Sequence, residues 1–196
     1  ERPPVEIGAA ATLATVWEAS APKPGNVHRG ADFLDMGYVD FLTCAAVTGP
    51  IVERVGELGL GPTVLAAVEA TRASVGVNTN LGTLLLVVPL ARAASERGEG
   101  ASLYLAAAEV VRQATPSDTA AIYAAIRCAA PGGMGRVERG DIQQEPTLSL
   151  VEAMELAAER DLVARQYVNG FAEVAATAAA IEREVAGFDR VLVVPV

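Results

Sequence analysis

The chain reads as an all-α protein, a single domain of about eight helices in orthogonal, bundle-like packing. Three observations predict this. Apolar residues recur at helical spacing along most of the 196 residues, with no alternation of strand and helix and no internal repeat. Apolar residues make up 52% and aromatic ones only 5%, so Ala, Leu and Val build the core. Such small side chains favour closely packed helices over a sandwich. Proline, glycine and capping residues punctuate the pattern where helices should start and stop.

Taken in order, Val5 to Ser20 predicts a first helix, with Ile7, Ala11, Leu13, Ala14 and Trp17 as its apolar stripe. It stops at Ala21, because the residue before Pro22 is pushed out of the α region. Pro22 to Gly30 is a proline-stiffened loop in which Gly25 permits positive φ or close approach of a ligand. Asp32, Asp35 and Asp40 follow among apolar residues, and the next helix runs from Tyr38 to Leu58. The turn Gly59 to Pro62 leads into a third helix, Pro62 to Ala73. Gly76-Val77-Asn78-Thr79-Asn80 is a tight polar turn that runs straight into an apolar helix, with Leu81, Leu84, Leu85 and Val88 on one face.

That helix ends near Gly98-Glu99-Gly100. Ser102 to Gln113 and Thr119 to Ala130 are further helices, the second started by Thr115-Pro116-Ser117-Asp118. Pro131-Gly132-Gly133-Met134-Gly135-Arg136 is the third unusual loop, and the chain stays irregular to Glu145. Pro146-Thr147 opens a long helix carrying Leu150, Ala153, Met154, Ala157 and Ala158. A last helix spans Gln166 to Ala186, with Gly170 inside it. Val191 to Val196 is strand-like and apolar, and such an end is expected to pack on further chain. Residues 1–196 are therefore read as one helical domain, cut short at its C-terminus.

Composition narrows the function. The net charge is −9 and no basic block is longer than a residue or two, so nucleic acid is not an expected partner. Cys44 and Cys128 are too few for a disulfide scaffold, although a single pairing between them stays open. One histidine cannot complete a His/Cys zinc set of the usual spacing. The longest apolar run, Leu84 to Ala91, contains Pro89 and falls far short of the roughly 20 residues a membrane-spanning helix needs. With no signal-peptide pattern at Glu1-Arg2-Pro3-Pro4, the expectation is a soluble, cytoplasmic protein. Assembly into a homo-oligomer stays open.

Two stretches suit phosphate. Of the fifteen basic residues only Lys23 is a lysine, and it shares its loop with the only histidine, His28. Lys23, Asn26, His28 and Arg29 gather donors that suit phosphate, or phosphate plus sugar. The helix that begins after Asn80 offers unpaired backbone N–H groups and a partial positive charge to the same kind of ligand. The plainer alternatives are a rigid basic surface turn and an ordinary helix cap. Asp32 and Asp35 suit Mg²⁺ held through water, with N-capping of the next helix as the competing role. Gly132 and Gly133 suit close backbone approach to a ligand, or simply a turn.

Ser20-Ala21-Pro22-Lys23-Pro24-Gly25, then Gly76-Val77-Asn78-Thr79-Asn80-Leu81-Gly82-Thr83, then Ala130 to Gly135 resemble the triphosphoribosyl-dephospho-CoA synthase family. The order is the same and nearly the whole chain is covered. The resemblance implies an all-helical enzyme that uses ATP and 3′-dephospho-CoA, small molecules both. Adenine leaves, and the triphosphoribosyl group goes to the ribose 2′-hydroxyl of dephospho-CoA. The chain departs from the family pattern at Asn26-Val27-His28-Arg29, where an acidic continuation is usual, and a Gly-Glu motif expected near Gly132–Arg136 is not evident. A later segment with an Asp-Thr pair would fall past Val196. The chain looks like a divergent branch.

On that resemblance Lys23, Gly25, Asn26, Arg29, Asn78, Thr79, Asn80, Gly82, Gly132 and Gly133 bind substrate, and Asp32 and Asp35 hold Mg²⁺. The catalytic candidates are Asp32, Asp35, His28 and Glu145. Cleaving an N-glycosidic bond builds positive charge on the ribose, which a carboxylate can offset or relieve by taking the proton of the attacking hydroxyl. His28 could protonate the departing base or hydrogen-bond a phosphate. Two other classes stay open: a helical module that binds nucleotide without chemistry, and an enzyme for another phosphorylated metabolite, such as a pterin or sugar nucleotide.

Overall fold

The computed structural model describes residues 6–23, 25–98, 100–130 and 140–186. Among them are ten helices and no strand, and eight of the helices have seven or more residues, as an all-α chain requires. Gly132 and Gly133, and the strand-like end Val191 to Val196, lie outside the described residues.

Helix α5 (Leu81–Glu96) is the one the others gather around. It touches α1 (Ile7–Ser20), α2 (Tyr38–Glu53), α3 (Val55–Leu58), α4 (Leu60–Val75), α6 (Leu103–Arg112), α7 (Pro116–Ala129) and α9 (Leu162–Asn169). Helix α8 (Leu150–Glu155) packs on α9, and α10 (Ala172–Ala186) follows it. Leu81, Leu84, Leu85 and Val88 of α5 are all buried, on the face their spacing predicts. Pro89 inside this helix lacks the N–H that would bond the Leu85 carbonyl. The buried Tyr167 hydroxyl of α9 donates to that carbonyl at 2.6 Å instead, so the defect is repaired from a neighbouring helix. Burial raises the Tyr167 pKa and keeps its phenol protonated for this bond.

Helices α1 and α2 cross at glycines. A Cβ on Gly49 would lie 2.0 Å from Thr12 Oγ1, and one on Gly8 would lie 2.5 Å from the Gly49 carbonyl. The buried face of α1 is therefore Gly8, Ala11, Thr15 and Ala19. The predicted stripe is corrected here: Leu13 is 42% and Trp17 54% exposed. Close backbone approach over small residues packs more atoms into contact than two bulky side chains would, and it takes the inner face.

Asp118 closes the first turns of two helices. Its Oδ1 accepts from Gly61 N of α4 at 2.8 Å, while Oδ2 accepts from Thr115 N at 3.0 Å and Thr115 Oγ1 at 2.7 Å. Burial disfavours the charge, but these hydrogen bonds and the Arg92 guanidinium outweigh it and hold the carboxyl below its usual value.

Several boundaries differ from the sequence expectation. The helix expected from Tyr38 to Leu58 is broken at Arg54 into α2 and α3. The long helix expected to open at Pro146 is the six-residue α8: it starts at Leu150, where Ser149 and Glu152 form a reciprocal capping box, and ends at Glu155, short of Ala157 and Ala158. Gly170 is not inside a helix: at φ +74° it ends α9, its N–H bonded to the Gln166 carbonyl, and the chain restarts as α10. Cys44 and Cys128 are both unpaired thiols. Among the described residues no helix is long and apolar enough to cross a membrane.

Candidate functional site

The last carbonyls of α1 have no helical partner, and the loop that follows turns back to meet them. Lys23 Nζ donates to the Glu18 main-chain oxygen at 2.9 Å and forms an ion pair with the Glu18 carboxylate. The same carboxylate oxygen accepts from Asn26 Nδ2 at 3.1 Å. Gly25 sits between them at φ +77°, and the buried Val27 anchors the loop to the core. His28 and Ala31 exchange backbone hydrogen bonds of 3.0 and 2.8 Å, and His28 Nδ1 accepts from Gly30 N at 3.2 Å. Asn26 and Arg29 are exposed.

The three aspartates divide by role. Asp32 Oδ1 accepts from Tyr38 N at 2.7 Å, and Asp40 Oδ2 accepts from Gly37 N at 2.7 Å, so both stabilise the start of α2. Asp35 is exposed on the same loop and makes no hydrogen bond or ion pair among the described residues. The Tyr38 hydroxyl lies 2.8 Å from Ser20 Oγ, joining the end of α1 to the start of α2. The Ser20 hydroxyl lowers the Tyr38 pKa; burial opposes this, and the Arg29 guanidinium adds to it.

The polar turn before α5 is organised by its side chains. Asn78 Oδ1 accepts from Leu81 N at 3.1 Å and so caps the first N–H of α5, while the N-cap residue Asn80 makes no side-chain capping bond. Asn80 points inward. It is 3% exposed, its Oδ1 accepts from Thr71 Oγ1 at 3.1 Å, and its Nδ2 is buried with no partner among the described residues. Thr79 Oγ1 donates to Cys44 Sγ at 2.9 Å. Gly82 lies in the first turn of α5, with a Val163 methyl of α9 3.6 Å from where its Cβ would be.

Helix α2 is the shared support of the two stretches. The end of α1 reaches it through Ser20 and Tyr38, the loop after α1 through Asp32 and the Tyr38 N–H, and the turn before α5 through Thr79 and Cys44. Tyr38 and Cys44 stand about 9 Å apart along the axis, at 1.5 Å per residue. Helix α1 also touches α5. Lys23 and Asn26 are held to the end of α1 through Glu18, and Thr79 and Asn80 to α2 and α4 through Cys44 and Thr71. Glu145 follows a segment held by α7 instead, where Arg127 donates to the Ile142 carbonyl and the Tyr123 hydroxyl to the Gly140 carbonyl. Glu18, Tyr38, Cys44 and Thr71 are participants that sequence reasoning missed. Only Glu18 left a trace, a carboxylate five positions before the sole lysine, at a helix end.

Among the described residues no three His, Cys, Asp or Glu side chains stand together as a metal-holding group. Mg²⁺ bound with a polyphosphate does not require one, since one or two carboxylates, waters and substrate oxygens suffice. Asp32 keeps one carboxylate oxygen beyond its cap, and Asp35 keeps both, so this donor set fits such a site.

Residues 4–191 match the family model CitG, described as ATP:dephospho-CoA triphosphoribosyl transferase. No curated protein and no solved structure matches the chain.

Proposed function

We infer the reaction of this chain from its membership: it belongs to the ATP:dephospho-CoA triphosphoribosyl transferase family and is a transferase. The triphosphoribosyl group of ATP passes to the 2′-hydroxyl of 3′-dephospho-CoA. The bond from ribose C1 to adenine N9 breaks, a bond from C1 to the acceptor oxygen forms, and the hydroxyl proton ends on the departing base. The observation that carries this reading is the match of residues 4–191 to that family model.

In this reading Lys23 and Arg29 take phosphate oxygens, and the N-terminus of α5 takes another through its backbone N–H groups. Gly25, with open space where its Cβ would be, keeps the backbone open to the ligand. Mg²⁺, held by Asp32 and Asp35 with the polyphosphate, supplies charge neutralisation when bound. Where Asp32 and the polyphosphate hold the cation, Asp35 is left as the proposed proton acceptor for the attacking hydroxyl, because its carboxylate is exposed and not engaged in capping. His28 carries the proton toward the base. Glu145 serves only if the segment after Gly140 closes over the acceptor. The enzyme works in the cytoplasm, where both small-molecule substrates are made.

The test is chromatography of ATP incubated with the chain, Mg²⁺ and dephospho-CoA. Free adenine that appears only when the acceptor is present is expected. Tight ATP binding without adenine would make this a nucleotide-binding module, and adenine release only with another phosphorylated acceptor would make it a related transferase.

A further inference from the structure

Both side chains of the lysine loop that carry amine or amide donors converge on one carboxylate. Lys23 Nζ meets the Glu18 carbonyl at 2.9 Å and its carboxylate, and Asn26 Nδ2 meets the same Oε1 at 3.1 Å. An ammonium has three N–H groups. Two are held by Glu18, which leaves one to point outward. A lysine head group otherwise swings on a flexible four-carbon stem and loses that freedom whenever it grips a ligand. The two side chains are 38% and 35% exposed, so a ligand can reach the pair from solvent, and an ion pair so placed adds little to stability. A purely structural purpose is thus a weak reason for the arrangement.

We propose that Glu18 is the positioning residue of the anion site, fixing Lys23 and Asn26 so that the remaining Lys23 N–H meets a polyphosphate oxygen. This rests on the reading of Lys23 as an anion ligand. It makes a prediction opposed to simple charge counting. Removing a carboxylate beside an anion site should strengthen anion binding if Glu18 merely neutralises Lys23. It should weaken binding if Glu18 holds Lys23 in place.

The experiment is a double-mutant cycle read by calorimetric titration with inorganic tripolyphosphate in the presence of Mg²⁺. The parent, Glu18→Gln, Lys23→Ala and the double variant are compared, with thermal unfolding of each recorded alongside. Glu18→Gln is expected to weaken binding roughly three- to tenfold when Lys23 is present, and less than about twofold when it is absent. Tighter or unchanged binding by Glu18→Gln overturns the proposal, and so does an equal loss in both backgrounds, which would mark Glu18 as a helix-end support. A parent that binds no tripolyphosphate defeats the anion reading beneath it, and the inference falls with it. If Glu18→Gln fails to fold, Glu18→Asp keeps the charge but withdraws the carboxylate, and the same coupled loss is expected.

Discussion

The Thr79 hydroxyl donates to the Cys44 sulfur at 2.9 Å, tying the turn before α5 to the middle of α2. Cys44 is completely buried, and burial pushes its thiol pKa up, with the Thr79 and Thr71 hydroxyls opposing and Asp40 adding a smaller rise. The thiolate is the reactive form, so burial and a raised pKa both slow its chemistry. Alkylation of the folded chain at mildly alkaline pH is expected to modify the half-buried Cys128 and spare Cys44, with Cys44 reacting only after denaturation. Mass-mapped labelling checks this; equal rates at the two cysteines would mean that the Thr79–Cys44 tie is not made in solution.

Lys23→Ala removes the one ammonium from the loop after α1. A loss of roughly 1.5–3 kcal/mol in the binding of Mg²⁺–ATP is expected, the range for hydrogen bonds to charged groups. The fold should survive, since the Glu18 pair it breaks is partly exposed. Isothermal titration decides it, and undiminished affinity would remove Lys23 from the site.

Asn78 separates capping from anion binding. Its Oδ1 accepts from Leu81 N at 3.1 Å, a bond that aspartate can also make. Asn78→Asp should therefore keep the thermal stability of the parent, yet place a negative charge where phosphate is proposed to sit and lower polyphosphate affinity by about tenfold or more. Asn78→Ala should instead cost about 1 kcal/mol of stability. If Asn78→Asp binds nucleotide as the parent does, Asn78 is a cap and nothing more.

Much of this was legible in the sequence, for reasons that can be named. The apolar face of α5 and the capping sequence at Thr115–Asp118 rest on local periodicity and local hydrogen bonds, which a sequence displays directly. The inner face of α1 was not legible: Leu13 and Trp17 outweigh Gly8 and Ala19 in any hydrophobic tally, and only the partner glycine on α2 reverses the choice. Likewise Gly170 reads as tolerated inside a helix until its positive φ is seen. In the candidate site, Lys23, Asn26 and Asn78 stand out by residue type and spacing. Glu18, the partner of Lys23 and Asn26, and Cys44 and Thr71, the partners of Thr79 and Asn80, lie on helices outside those stretches, and pairing across elements leaves little local pattern.

Tyr167→Phe tests how α5 is held. The hydroxyl supplies the bond that Pro89 withdraws from the Leu85 carbonyl, and both groups are buried. Its removal leaves an unsatisfied carbonyl in the core, so a loss of about 1–3 kcal/mol in unfolding free energy is expected. Adding Pro89→Ala should recover part of that loss, because alanine restores the helical N–H donor. Denaturant unfolding of the two variants gives the answer; a Tyr167→Phe chain as stable as the parent would show that the hydroxyl bond contributes nothing.

The central claim is group transfer from ATP with loss of adenine, and following both ends of one ATP molecule tests it most directly. With ATP labelled in the γ-phosphate and in the base, Mg²⁺ and dephospho-CoA, the phosphate label is expected to move into the dephospho-CoA fraction while the base label appears as free adenine in equal amount. Phosphate label released as inorganic phosphate, or transferred while the base stays on ADP, would contradict it.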